Sequence, residues 1–259
     1  MSTVTQRINE IKQPRGGYIK PSQFTARVID DGRKLAEEEN IHASVVGMAV
    51  DYLTRYLMGA DIEDAFSISI RGAKSASMLT GSNTEKVARK FLDGIRGTDD
   101  ASIINACKMT TFDVCFRNPM AAMLAKGAED TNPDADTVRN IRIMIQRSLD
   151  FWKAYGPITK DGFTFEENGY TATVDSGDGD FLTNDTLWDF KVSKAKPTNK
   201  HTLQLLMYWI MGQHSEKPEF QGIDRLGIFN PRLNTVYTLD VSQIPAHIIR
   251  AVETDVICY

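Results

Sequence analysis

Ser176-Gly-Asp178-Gly-Asp180-Phe-Leu-Thr-Asn-Asp185-Thr-Leu-Trp188-Asp189-Phe-Lys191 decides how the second half of the chain is read. It holds two short strand-like segments, 180–182 and 187–192, separated by Thr183-Asn-Asp-Thr186, whose side chains bond to nearby backbone and so favour a tight turn. Two strands joined by that turn are predicted. Residues two apart on a strand share a face, so Asp189 and Lys191 present a carboxylate and an ammonium side by side. The turn also carries Asp180, at the start of the first strand, close to Asp189 on the second.

Working outward, a helix is predicted over 199–212, a strand over 225–230, a turn at 231–234, a strand over 235–241 and a last helix from about residue 244. Upstream, Phe163-Thr-Phe165 and Tyr170-Thr-Ala-Thr-Val174 alternate around a Glu-Glu-Asn-Gly turn, which predicts a hairpin. Before it, Val138, Ile141, Ile145, Leu149 and Trp152 recur at three and four after Pro133 and stop at Gly156-Pro157, the pattern of an amphipathic helix with Trp152 on its core face. Earlier helices are expected over 22–39, 42–58, 62–71, 84–95 and 101–116, with Gly59, Gly72 and Gly97 as helix stops. Residues 1–21 carry Arg7, Lys12, Arg15 and Lys20 against Glu10 alone and read as a basic polar arm. The expected fold is α/β: the arm, then a single domain over 22–259, mostly helical to 155 and sheet-bearing after it.

The chain has 259 residues and a formal charge of -4, with 25% charged and 42% hydrophobic residues. That hydrophobic fraction supports a core and excludes a disordered or fibrous chain. No basic field spans the protein, so any nucleic-acid contact must be local. No apolar run reaches membrane-spanning or signal-peptide length, and the expectation is a cytoplasmic protein with no membrane partner. Cys107, Cys115 and Cys258 are too few and too irregular for a disulfide framework or a zinc ribbon. His42, His201, His214 and His247 show no metal-ligand spacing and read as surface or capping residues.

The Asp-x-Lys triplet alone carries no weight, since a second acid-x-Lys, Glu10-Ile-Lys12, occurs in a chain with 34 acids. A solvated hairpin with an ion pair worth about 0–1 kcal/mol explains it equally well. Asp180 changes the reading. Two carboxylates held a few ångströms apart repel, and a hard cation between them, Mg²⁺ or Mn²⁺, removes the cost. Lys191 would then orient water or stabilise charge on a phosphoryl group. On the following helix Gln204 and Tyr208, four apart, project from one face. Lys194, Lys196 and Lys200 lie in the polar segment leading to that helix, placed to meet phosphates, and Arg15-Gly-Gly-Tyr18 could add a charge and a ring.

The ordered set Gly177-Asp-Gly-Asp-Phe-Leu182, Leu187-Trp-Asp-Phe-Lys191 and Gln204-Leu-Leu-Met-Tyr-Trp209 resembles the signature of the PD-(D/E)xK nuclease superfamily, in its RecB-like and Cas4-like branch. The resemblance covers about residues 163–241. It implies a restriction-endonuclease-like core, a mixed central sheet flanked by helices, and Mg²⁺- or Mn²⁺-dependent phosphodiester hydrolysis. It further implies Asp180, Asp189 and the Phe190 carbonyl as metal ligands, Lys191 as the catalytic lysine, and Gln204 with Tyr208 bracing that lysine or touching DNA. The branch also places an acid or histidine on an N-terminal helix; here Val46-Gly-Met-Ala-Val-Asp51-Tyr52 is the nearest match, with Glu63, Asp64 and Glu129 in reserve. The three cysteines cannot supply the four-cysteine iron–sulfur cluster of Cas4-like members, so no iron–sulfur centre is expected. The expected activity is a DNA nuclease, exonuclease-like, acting on single strands or duplex ends in recombination, repair, phage or defence settings, with RNA not excluded. The alternative is a catalytically silent nucleic-acid-binding or adaptor protein on the same fold.

Overall fold

The computed structural model describes residues 2–118 and 127–259. The chain divides into two compact units, one made of residues 1–30 and 151–259 and the other of 31–150.

The first unit is an α/β sandwich of helices and a mixed sheet. It begins with a short strand β1 (Ser2–Thr3) and helix α1 (Val4–Glu10). Thr3 caps α1 reciprocally: its hydroxyl accepts from the Gln6 N–H at 3.1 Å while the Gln6 side chain accepts from the Thr3 N–H at 2.9 Å. Val4 and Ile8, one turn apart, are buried in the core, and Tyr18 packs against it. The basic arm expected over 1–21 is thus a folded part of this unit, because the apolar positions Val4, Ile8 and Ile19 repay the cost of ordering it.

Strand β2 (Thr25–Val28) is followed, after the other unit, by β3 (Lys160–Phe163), β4 (Val174–Ser176), β5 (Gly179–Leu182) and β6 (Thr186–Phe190). Helix α9 (Asn199–His214) leads to β7 (Arg225–Asn230) and β8 (Thr235–Asp240). The last helix, α10 (Ala246–Ala251), runs on into a π-helical turn, Val252–Ile257. The six-stranded sheet has the order β2-β8-β7-β6-β5-β3; β6 and β7 are parallel and the other pairs antiparallel. Parallel β6 and β7 are linked through α9, a βαβ crossover. One sheet face, with Leu182, Leu187, Leu226 and Ile228, packs on Leu203, Leu206 and Ile210 of α9. The other, with Phe181, Trp188 and Phe229, packs on Phe151 and Trp152.

Two expectations fail here. Residues 22–39 hold no α-helix; Thr25–Val28 is an edge strand paired with β8. β-Branched Thr25 and Val28 match that role, and pairing along 235–238 is a long-range partner that local patterning does not reveal. The hairpin expected from 163–165 and 170–174 is absent as well. Phe163 ends β3, which pairs with β5, and Val174 opens β4, which pairs in parallel with β1. Phe165 is buried without belonging to a strand, its ring against Tyr208 and Phe220.

The second unit is helical: α2 (Ala43–Leu57), α3 (Ile62–Ala65), α4 (Ser67–Thr80), α5 (Thr84–Asp93), α6 (Asp100–Thr110), α7 (Asp113–Arg117) and the long α8 (Ala135–Tyr155) as far as Asp150. His42 caps α2, its ring accepting from the Ser44 N–H at 3.2 Å. The helix expected over 62–71 is two helices that break at Phe66 and continue to Thr80. Gly72 is not a stop: it lies inside α4, where a Cβ would sit 1.9 Å from the Phe112 carbonyl oxygen, so only glycine lets α4 approach α7. Gly59 does follow the end of α2, with φ +105°.

Candidate active site

The register of β5 and β6 builds the site. Phe181 pairs with Trp188 and Leu182 with Leu187, so continuing by one pair sets Asp180 opposite Asp189. Residues directly opposite on antiparallel strands have Cβ atoms about 4.5–5.5 Å apart, and like charges there are destabilising. Alternation sends Phe181 and Trp188 to the aromatic face and Asp180, Asp189, Leu182 and Leu187 to the face carrying α9. The turn between the strands is closed by the Thr183 N–H donating to the Thr186 carbonyl at 3.0 Å, with the Trp188 indole N–H donating to the Thr183 hydroxyl at 3.1 Å.

The two acids are held differently. Asp180 Oδ2 accepts the Phe190 backbone N–H at 2.7 Å, which ties its carboxylate to the next strand. Asp189 is only 3% exposed. Its Oδ1 meets Lys191 Nζ at 2.9 Å, whereas its Oδ2 is buried with no hydrogen-bond partner among the described residues. A buried carboxylate oxygen left unsatisfied costs about 1–3 kcal/mol or more, so its persistence asks for a ligand.

Lys191 is half-buried. Burial works against its charge, but attraction from Asp189, then Asp180 and Asp178, outweighs it and holds the ammonium above its ordinary pKa. On α9, Gln204 Nε2 donates to Tyr208 Oη at 2.9 Å. Tyr208 is buried, and desolvation first, then Asp189, Asp180 and Asp178, push its phenol well above the ordinary value. Asp180, Asp189, Lys191 and Tyr208 therefore share one electrostatic environment, with Gln204 joined to it through Tyr208.

The remaining candidates belong to other elements or are tied down. Lys200 Nζ donates to Asn9 of α1 at 2.7 Å, while Lys194, Lys196 and Arg15 are exposed. Asp51 belongs to the helical unit, where it pairs with Arg55 at 2.9 Å. Glu63, Asp64 and Glu129 belong to that unit too, Glu63 pairing with Arg89 at 2.6 Å.

One supporting residue escapes a reading by motif, and His201 takes the capping role expected of it. Asn230, 1% exposed at the end of β7, donates to the Ser193 carbonyl at 2.8 Å and accepts from the Arg232 N–H at 3.0 Å, fixing the chain just beyond Lys191. Its only sequence signal is the Asn-Pro turn it opens. His201 accepts the Thr198 N–H at 3.2 Å as part of the α9 capping box.

The donor set suits a hard cation: two carboxylates, one of them with an oxygen that no described residue satisfies. Among the described residues no group of three or more His, Cys, Asp or Glu side chains could hold a metal, so the remaining positions would fall to water, backbone oxygen and substrate phosphate, as is usual for Mg²⁺. Among the described residues no helix is long and apolar enough to cross a membrane. No family model matches the chain, and no curated protein and no solved structure does either.

Proposed function

We propose that the chain is a divalent-metal-dependent nuclease that hydrolyses DNA phosphodiester bonds on a restriction-endonuclease-like core, exonuclease-like in action, in the cytoplasm. The observation that carries the reading is the Asp180–Asp189 pair across one register position, with the buried Asp189 Oδ2 unpartnered among the described residues beside the Lys191 ammonium. Two facing carboxylates repel, and a cation held between them removes that cost.

Asp180 and Asp189 would hold Mg²⁺ or Mn²⁺, which when bound supplies Lewis acidity toward a phosphoryl oxygen and toward the attacking water. Lys191 is held in its protonated state, so it acts as a fixed positive charge on the phosphoryl oxygens as negative charge builds there, and not as a proton acceptor. The Phe190 N–H keeps the Asp180 carboxylate oriented. Gln204 and Tyr208 close the α9 side, their mutual hydrogen bond fixing both rotamers.

Incubating the purified protein with Mn²⁺ and labelled single-stranded DNA, duplex DNA and RNA tests this. Cleavage of DNA is expected, with Asp189→Asn and Lys191→Ala each losing about 10²–10³-fold. No cleavage of any substrate, or full activity in Asp189→Asn, would sink the reading; cleavage of RNA alone would move the substrate class. The alternative, a silent nucleic-acid-binding or adaptor protein on this fold, draws on the lack of a third ligating side chain among the described residues. Binding of the oligonucleotides without cleavage would favour it.

A further inference from the structure

His201 lies in the first turn of α9 and shares a face with Gln204 and Tyr208, three and seven residues on. A backbone N–H can only donate, so the Thr198 N–H bonded to Nδ1 at 3.2 Å fixes that nitrogen as an acceptor and puts the ring proton on Nε2. The half-buried imidazole is held neutral: burial, and then the neighbouring Lys191 ammonium, lower its pKa. Capping alone needs only an acceptor at this position, and glutamate or glutamine is the usual choice. An imidazole adds a rigid N–H donor on the helix face that carries Gln204 and Tyr208.

We infer that His201 is a further substrate-contacting residue, donating its Nε2–H to a non-bridging oxygen of the phosphate that Lys191 faces. The identity of that ligand rests on the nuclease reading. Two cap-preserving variants separate donor from cap, each titrated at low and at high salt because glutamate adds a negative charge that salt screens. His201→Glu keeps the acceptor that caps α9 and removes the donor; His201→Gln keeps an acceptor and an N–H.

The measurement is fluorescence anisotropy of a short labelled single-stranded oligodeoxynucleotide titrated with the full chain in Ca²⁺, with thermal melts alongside. His201→Glu should weaken binding at least about tenfold, His201→Gln should stay within about threefold of the parent, and neither should move the melt. Unchanged binding by His201→Glu, or equal weakening by both variants, overturns the inference. So does an absence of oligonucleotide binding by the parent chain, which counts against the nuclease reading as well. If His201→Glu weakens binding as expected while Asp189→Asn still cleaves at the parental rate, the nuclease chemistry assigned to the carboxylates fails and the phosphate contact of His201 stands.

Discussion

Replacing Lys191 by Met keeps most of the aliphatic stem and removes the ammonium that meets Asp189 Oδ1 at 2.9 Å. Asp189 would remain buried, with Oδ2 already lacking a partner among the described residues. Stripping one member from a fully buried ion pair costs about 3–5 kcal/mol, and because the Lys191 side chain is 29% exposed a smaller loss, about 2–3 kcal/mol, is expected. The assay is urea unfolding in EDTA followed by tryptophan emission. Trp152, Trp188 and Trp209 all lie in the unit of residues 1–30 and 151–259, so the signal reports that unit alone. The pH dependence has a definite sign. The folded-state pKa of Lys191 lies above its ordinary 10.5, so its stabilisation is fully present below that value and fades as the pH rises through the higher folded one. The gap between parent and variant should hold from neutral pH to about 10 and close above it. Adding Mn²⁺ should recover part of the loss, since a cation can replace the missing charge. A metal-free loss below about 0.5 kcal/mol would refute the reasoning, because the carboxylate would then need no cation.

Two further predictions concern the frame around the site. Gly227 of β7 pairs with Trp188, and a Cβ there would lie 2.3 Å from the indole, so Gly227→Ala should cost about 1–3 kcal/mol in the same unfolding assay. Thr3→Ala removes the reciprocal cap of α1 and should lower stability by about 1 kcal/mol, detected as an earlier urea midpoint; no change would mean that 2–10 is held by Val4 and Ile8 alone.

What was legible in the sequence follows a physical divide between local and long-range order. The β5–β6 hairpin, α8, α9 and the β7–β8 hairpin were readable because their apolar periods and turn residues are complete within each segment. Strand β2 was not: its four residues are all exposed, and its partner β8 lies about two hundred positions away. The false hairpin at 163–174 came from real alternation whose strands found other partners, β5 for β3 and β1 for β4. Thr3-x-x-Gln6 is a capping box whose signal is masked in the sequence by the surrounding basic residues.

The site divides in the same way. Asp180 facing Asp189, and Lys191 on the same side, follow from period two and a tight turn. The orphaned Asp189 Oδ2, the Phe190 N–H on Asp180, the Asn230 brace and the tautomer of His201 depend on three-dimensional packing, and no spacing rule contains them. Lys200, read as a phosphate contact, is engaged by Asn9, because the segment taken for an arm folds as α1.

The central claim, that Asp180 and Asp189 together hold a divalent cation, is tested most directly by calorimetric titration of Mn²⁺ into the parent chain, Asp180→Asn and Asp189→Asn. One saturable site in the parent, lost in both variants while their tryptophan emission stays native, is the predicted result. A parent chain without saturable binding, or variants that bind Mn²⁺ as the parent does, would contradict it.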